Sequence, residues 1–137
     1  MTTNSSFRSD GQIFLSVKGG LVNWKPDSSL ENLRKSAENI NRLLKHRKMD
    51  LFEPARVDTT RPIEETMANL QTLVKEGHFK YIGLSECGAE TLRRAAAAGP
   101  VAAVEVEYSP WSLDIEKNGV LATAKELNIP VISYRCV

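Results

Sequence analysis

The chain has 137 residues, of which 42% are apolar and 26% are charged, and its formal net charge is +1. This composition is typical of one globular domain with a buried core, and it excludes disordered and collagen-like chains. The near-zero charge and the lack of a long basic run argue against nucleic acid or a membrane surface as an electrostatically held partner.

The ends and the cysteines of the chain predict its compartment. Cys87 and Cys136 lack metal-ligand spacing, so neither a zinc site nor a disulfide framework is expected. We expect residues 1–11 to form a flexible amino-terminal segment and residues 12–137 to form one domain. No run of eighteen apolar residues is present, and a soluble, cytoplasmic protein with reduced thiols is therefore predicted.

The first predicted strand, Gln12 to Val17, is mostly apolar and stops at Lys18, as expected of a strand buried on both faces. A loop then reaches Pro26. The following segment, from about Ser29 to Lys45, is predicted to be helical. Its apolar residues recur at helical spacing, at Leu30, Leu33, Ala37, Ile40 and Leu44.

Strands and helices continue to alternate through the rest of the chain. Pro62 and the acids after it open a second helix, which Gly77 closes. Gly99 and Pro100 end a third, alanine-rich helix. The remaining predictions are strands at Met49–Glu53, Tyr81–Leu84, Ala102–Val106 and Pro130–Tyr134, a loop at Tyr108–Glu116, and helices at Thr91–Ala98 and Gly119–Leu127.

This alternation predicts an α/β fold with about five parallel strands and right-handed crossovers. A doubly wound open sheet and a β/α barrel both have this spacing. Gly19 and Gly20 are the only paired glycines after a strand, and they lead into a loop, so the phosphate-binding turn of a Rossmann unit is not recognised. A partial TIM-type (β/α)8 barrel is the preferred interpretation.

Polar residues stand at the predicted carboxyl ends of these strands, where α/β barrels carry their chemistry. Each also has an ordinary structural explanation. Lys18 could be a solvated lysine at the end of a strand. Ser85 or Glu86 could cap the following helix. The aromatic rings of Tyr108 and Trp111 could pack within their loop. Arg56 and Asp58 could form a local ion pair.

Six segments together resemble the aldo-keto reductases, and within them a fungal pyridoxal-reductase-like branch. In order and spacing they are similar to the third through seventh βα units of such a barrel. The resemblance spans about Gln12 to Tyr134. The segments are Phe14–Gly20, Met49–Asp58, Pro62–Met67, Tyr81–Glu86, Glu105–Trp111 and Ile129–Tyr134.

The resemblance implies an NADPH-dependent oxidoreductase without a Rossmann fold, in which Asp, Tyr, Lys and His surround the substrate carbonyl. Lys18 matches the catalytic lysine, whose expected role is to lower the pKa of the tyrosine acid. Ala55 stands at the histidine position. The family's aspartate and tyrosine belong to the part of the barrel before the matched segments.

Four further positions are implied to bind the cofactor. Ser85 matches a serine that helps hold the nicotinamide carboxamide, and Tyr134 resembles the aromatic residue on which the nicotinamide ring stacks. Glu86 and Glu105 stand where many members have asparagine and glutamine. As carboxylates they accept hydrogen bonds but lack the amide donor.

Two functions of different classes follow. The first is NADPH-dependent reduction of an aldehyde or ketone, such as pyridoxal, by hydride transfer. The alternative is a catalytically inactive, truncated fragment that acts through protein association, because a partial barrel has unpaired edge strands. An open-sheet α/β binding module is a third interpretation.

Overall fold

The computed structural model describes residues 13–45 and 47–136. The predicted flexible segment at residues 1–11, and Gln12 of the first predicted strand, lie outside the described residues. Within the described part, strands and helices alternate as predicted. The strands are β1 Ser16–Gly19, β2 Leu21–Val22, β3 Lys25–Pro26, β4 Leu51–Pro54, β5 Tyr81–Ser85, β6 Ala103–Glu107 and β7 Val131–Tyr134.

Helices connect the parallel strands. In these residues no helix is both long and apolar enough to cross a bilayer. The helices are α1 Leu30–Leu44, α2 Ile63–Lys75, α3 Ala89–Ala98, α4 Asp114–Lys117 and α5 Val120–Glu126.

Five strands form one sheet in the order β1-β4-β5-β6-β7, and every neighbouring pair is parallel. This confirms the predicted α/β architecture. A doubly wound sheet reverses its strand order at a switch point, whereas here the order follows the chain throughout. The sheet is therefore part of a β/α barrel, and β1 and β7 each have a single strand neighbour within the described residues.

The hydrophobic core lies between the sheet and α1, α2, α3 and α5. Alternate strand residues such as Phe52, Leu84 and Val104 point into it and are buried. The rings of Phe52 and Phe79 stack with centroids 5.1 Å apart. Because side chains alternate across a strand, the residues between these positions lie on the other side of the sheet, which we call the open face.

Helix starts follow from local chemistry, with one correction. The Ser29 hydroxyl accepts a hydrogen bond from the Asn32 N–H and caps α1. Helix α3 begins at Ala89, two residues before the predicted start at Thr91, and its N-cap residue is the extended Gly88, which provides no side-chain cap. The expectation that Ser85 or Glu86 caps this helix is therefore wrong.

Two predicted loops contain regular structure. The segment before Pro26 forms the antiparallel hairpin of β2 and β3. Its turn residues Asn23 and Trp24 both have positive φ, 48° and 64°, which is the left-handed region that two-residue hairpin turns require. The predicted loop at Tyr108–Glu116 likewise contains the start of α4.

Asp58 fixes the loop that follows β4. Its buried carboxylate accepts hydrogen bonds from the Ser28 N–H at 2.9 Å, the Thr60 N–H at 2.9 Å and Arg61 Nε at 3.0 Å. These bonds outweigh burial and lower the pKa of Asp58. The predicted ion pair with Arg56 is wrong, since Arg61 is the partner and Arg56 donates to the Ala55 carbonyl.

Candidate functional site

Polar side chains meet at the carboxyl end of the open face. Strand register places them there, because Lys18 pairs with Glu53 across β1 and β4, and Ser85 pairs with Glu105 across β5 and β6. Tyr134 follows on β7, opposite the residue two places after Glu105. We call this set the carboxyl-end cluster. Its members are Lys18, Glu53, Ser85, Glu86, Glu105 and Tyr134.

Lys18 and Glu105 form an ion pair with 2.9 Å between Nζ and Oε1. Their strands are three positions apart in the sheet order, and each step is ~4.8 Å in a flat sheet. Direct contact over that span requires the sheet to curve toward the open face. The ion pair therefore reports the barrel-like curvature, and it partly neutralises the positive charge of Lys18.

The ring of Tyr134 lies beside this ion pair. Lys18 Nζ is 5.2 Å from the ring centroid, within the range of a cation–π contact. The nearby Glu86 carboxylate, with burial and the charge of Glu107, raises the pKa of Tyr134. Tyr134 is thus held as a neutral phenol whose half-buried ring faces the cluster.

Glu86 has a structural task in addition to its contact with Tyr134. It follows β5 with a positive φ of 52°, and its Oε1 accepts a hydrogen bond from the Glu107 N–H at 2.8 Å. The Glu86 N–H in turn donates to the Glu105 carbonyl at 2.9 Å. Glu86 thereby joins the ends of β5 and β6, and one of its carboxyl oxygens is committed to the backbone.

Ser85 is placed differently from its neighbour. Its side chain is buried, and its Oγ has no hydrogen-bond partner among the described residues. A buried hydroxyl without a partner is unusual, because burial without a hydrogen bond is costly. Ser85 Oγ is therefore available to bond to a ligand.

Glu53 is the member that the sequence prediction missed. It is fully buried on the open face, and both of its carboxyl oxygens lack a partner in the described part of the chain. Burial and the neighbouring Glu105 carboxylate raise the pKa of Glu53 to about 7. A charged residue inside an otherwise apolar strand, one position before Pro54, is the signal that could have found it.

Both tryptophans are exposed, and for Trp111 this differs from the prediction. Trp111 is 85% exposed, so the expectation that it packs within its loop is wrong, whereas Tyr108 does pack against the core. Trp24, in the turn of the β2–β3 hairpin, is 92% exposed. Both indoles belong to loops that follow strands at the carboxyl end of the sheet.

Comparison with known proteins decides the family. Residues 5–137 match the model of the aldo/keto reductase family. The chain belongs to that family. Because the match covers nearly the whole chain, it includes every member of the carboxyl-end cluster.

Individual aldo-keto reductases agree with this assignment. The chain is 48% identical over 126 residues to a probable pyridoxal reductase 2 of Schizosaccharomyces pombe, covering 90% of this chain and 38% of the relative. It is 44% identical over 128 residues to the aldo-keto reductase str7 of Strobilurus tenacellus, covering 89% and 37%. The chain thus spans less than two fifths of the length of these two relatives.

A solved structure extends the comparison to the fold. A putative 2,5-diketo-D-gluconic acid reductase B superimposes with a TM-score of 0.79 at 26% identity, covering 92% of this chain and 43% of that structure. The similarity includes most of the described sheet and helices. It confirms that the five parallel strands form part of an aldo-keto reductase barrel.

Proposed function

We propose that the chain carries the nicotinamide-binding part of an NADPH-dependent reductase whose substrate is an aldehyde such as pyridoxal. The observation that carries this proposal is the meeting of Lys18, Ser85, Glu105 and Tyr134 at the carboxyl ends of parallel strands. Family membership supports the cofactor, and the fungal relative, which is named as a probable pyridoxal reductase, supports the substrate.

The residues of the cluster fit an aromatic amide. The unpartnered Ser85 hydroxyl can donate to an amide carbonyl, and the Glu105 carboxylate can accept from an amide N–H. The ring of Tyr134 offers an aromatic surface for stacking. When bound, NADPH supplies a hydride to the carbonyl carbon of the substrate.

Lys18 is proposed to stabilise negative charge on neighbouring groups. An ammonium group favours the ionised form of a neighbouring phenol and stabilises negative charge that develops on a carbonyl oxygen. The ion pair with Glu105 weakens that field, since the two charges partly cancel beyond a few ångströms. Ala55 adds no proton donor at the position where the family's histidine is expected.

Cofactor binding is tested by titrating the purified chain with NADPH and following fluorescence. We expect saturable binding that Tyr134→Ala and Ser85→Ala weaken. Tyr81→Ala is the matched control, because Tyr81 lies on the same face of the sheet at its amino end. Equal loss of affinity in the Tyr81 and Tyr134 variants would contradict a site at the carboxyl end.

Turnover requires a separate measurement. Pyridoxal-dependent consumption of NADPH, followed by absorbance, is expected to disappear in Lys18→Met while NADPH still binds. If the unsubstituted chain binds NADPH but consumes none with pyridoxal, the cofactor site stands and the reductase proposal for this chain is refuted.

A second candidate function is self-association without catalysis. Its support is a group of apolar side chains at the amino end of the open face, Phe14, Tyr81 and Ile132, which are 59%, 48% and 37% exposed. They surround one depression of the surface, and β1 and β7 offer strand edges beside it. We propose a second copy of this chain as the occupant.

Sedimentation velocity over a range of protein concentrations tests this candidate. A dimer that forms as concentration rises, and that the double substitution Tyr81→Ser and Ile132→Ser weakens, would support association through this end of the face. A monomer at all concentrations, with NADPH bound, would favour the reductase.

A further inference from the structure

Glu53 is buried, faces an ion pair and makes no hydrogen bond of its own. It stands opposite Lys18 in the register of β1 and β4, yet Lys18 Nζ is bonded to Glu105 on the far side of β5. A carboxylate left without a partner in a buried position is strongly disfavoured. The arrangement therefore requires either a proton on Glu53 or a rearrangement of its neighbours.

Gly83 shows where the Glu53 side chain lies. A Cβ atom added at Gly83 would stand 2.7 Å from both Cγ and Oε1 of Glu53. The carboxyl group thus lies directly over β5, in space that a side chain at Gly83 would fill. From that position it extends from β4 toward β6, where Glu105 projects from the same face.

The charged groups that face Glu53 favour a protonated Glu53 carboxyl. The residues that face it are Lys18 and Ser16 of β1, Gly83 and Ser85 of β5, and Glu105 of β6. Two ionised carboxylates only accept hydrogen bonds and repel each other, whereas a protonated carboxyl can donate to an ionised one. Since Glu105 already binds the Lys18 ammonium, the proton belongs on Glu53.

We propose that Glu53 is a positioning residue: in its neutral form it donates a hydrogen bond to the Glu105 carboxylate and holds Glu105 against Lys18. The proton on Glu53 then links three strands, because Glu53 of β4 bonds to Glu105 of β6, which bonds to Lys18 of β1. Together, a protonated Glu53 and an ionised Glu105 offer both a hydrogen-bond donor and hydrogen-bond acceptors, whereas a single ionised glutamate only accepts.

Ionisation of Glu53 is expected to loosen this arrangement. Two negative charges over one glycine repel, and Lys18 is drawn between two carboxylates instead of being held by one. Glu105 would then lose the fixed position in which it can accept from an amide. This second consequence rests on the proposed cofactor site, whereas the protonation of Glu53 does not.

The first experiment examines the free chain and needs no cofactor. Glutamate is labelled with carbon-13 at its carboxyl, and the Glu53 signal is assigned by its absence in Glu53→Gln. We expect its titration midpoint near pH 7, lower in Glu105→Gln and higher in Lys18→Met, because the first substitution removes a negative neighbour and the second a positive one. A midpoint near the ordinary value of 4.5 would overturn the proposal.

Glu107→Gln is the matched control for this titration. Glu107 lies two residues after Glu105 on the same face of β6, and its carboxylate lies within 3.5 Å of Arg135. The Glu53 midpoint should stay unchanged in this variant. A shift as large as that in Glu105→Gln would mean that general charge, not a specific hydrogen bond, sets the titration.

The second experiment measures NADPH affinity as a function of pH. Affinity of the unsubstituted chain should fall roughly three- to tenfold as pH rises through about 7, the effect of one hydrogen bond. In Glu53→Gln, which keeps the shape and a donor but does not titrate, the fall should vanish. A fall that persists in Glu53→Gln would overturn the link to the cofactor.

The two experiments separate failure of this inference from failure of the proposed function. If NADPH does not bind at any pH, the cofactor proposal is refuted and the carboxyl titration still decides the state of Glu53. If NADPH binds and Glu53 titrates near its ordinary value, the positioning role is refuted while the cofactor site stands.

Discussion

The two ends of the open face are built from the same five strands and have opposite chemistry. The carboxyl end carries an ion pair, a buried carboxyl group and an unpartnered hydroxyl. The amino end carries the exposed apolar side chains of Phe14, Tyr81 and Ile132. Tyr81 and Ser85 are the first and last residues of β5, ~13 Å apart at the usual rise of a strand.

This difference shows that the sheet itself does not determine what its open face can bind. Backbone pairing is continuous along β5, and only the side chains change from apolar to polar along it. In β/α barrels the carboxyl end holds the chemistry and the amino end contributes to stability. The predictions below test whether this division holds here.

The largest expected effect concerns the proton on Glu53. Because the pKa of Glu53 is raised from 4.5 to about 7, the folded state holds the proton more tightly than the unfolded chain. The stabilisation is full below about pH 4.5 and is lost as pH rises through 7. Between about pH 5 and pH 8 the loss should be roughly 2 to 3 kcal/mol.

Urea unfolding followed by circular dichroism, at several pH values, measures this loss. The difference between the unsubstituted chain and Glu53→Gln isolates the contribution of one carboxyl from all other titrating groups. If the difference in unfolding free energy between the two proteins does not change with pH, Glu53 is ionised in the folded chain. The carboxyl end would then contain no buried protonated carboxyl group.

A smaller effect is expected at Gly83, the residue over which Glu53 lies. Gly83→Ala places a Cβ 2.7 Å from Glu53 Oε1 and 2.8 Å from Leu51 Cδ2. Overpacking of this kind costs about 1 to 3 kcal/mol of unfolding free energy. Urea midpoints at constant pH give the value.

Gly88→Ala is the matched control, because a Cβ at Gly88 meets nothing within 4 Å. Only its N-cap preference is at stake, and the cost should be less than about 1 kcal/mol. Combining Gly83→Ala with Glu53→Ala removes two of the three close contacts, so the two costs should be less than additive. Additive costs would contradict the packing of Glu53 against β5.

The smallest effect is expected at the amino end. Tyr81→Ser should change the unfolding free energy by within about 0.5 kcal/mol, because the side chain is 48% exposed and exposed positions tolerate substitution. The same urea experiment measures it. A loss as large as that of Gly83→Ala would show that the amino end is packed, and the contrast between the two ends would fail.

Much of this architecture could be predicted from the sequence. The apolar runs and their helical intervals identify all five parallel strands, and Lys18 and Tyr134 fall at strand ends where the structure also has them. Hydrophobic periodicity and helix caps are local signals, so they can be recognised in the sequence alone. Family membership was likewise accessible, because the segments that carry it are contiguous.

Features that depend on strand register or on the detailed conformation of a turn or loop were not predictable. In the sequence, Glu53 is only a polar residue at the end of a strand. Its position opposite Lys18 and beside Gly83 depends on strand register. The β2–β3 hairpin was missed because Trp24 is an unusual residue for a left-handed turn position. Arg61, not Arg56, reaches Asp58, and the sequence alone does not decide between two arginines so close to the same carboxylate.

The exposure of both tryptophans determines what intrinsic fluorescence can report. Trp24 and Trp111 are the two tryptophans of the chain, and they are 92% and 85% exposed. Their indoles are already solvated in the native state, so their emission should change little when the core unfolds. Both lie in loops beyond the carboxyl ends of strands, and a change in their emission on adding a small molecule would therefore signal an event at that rim of the sheet.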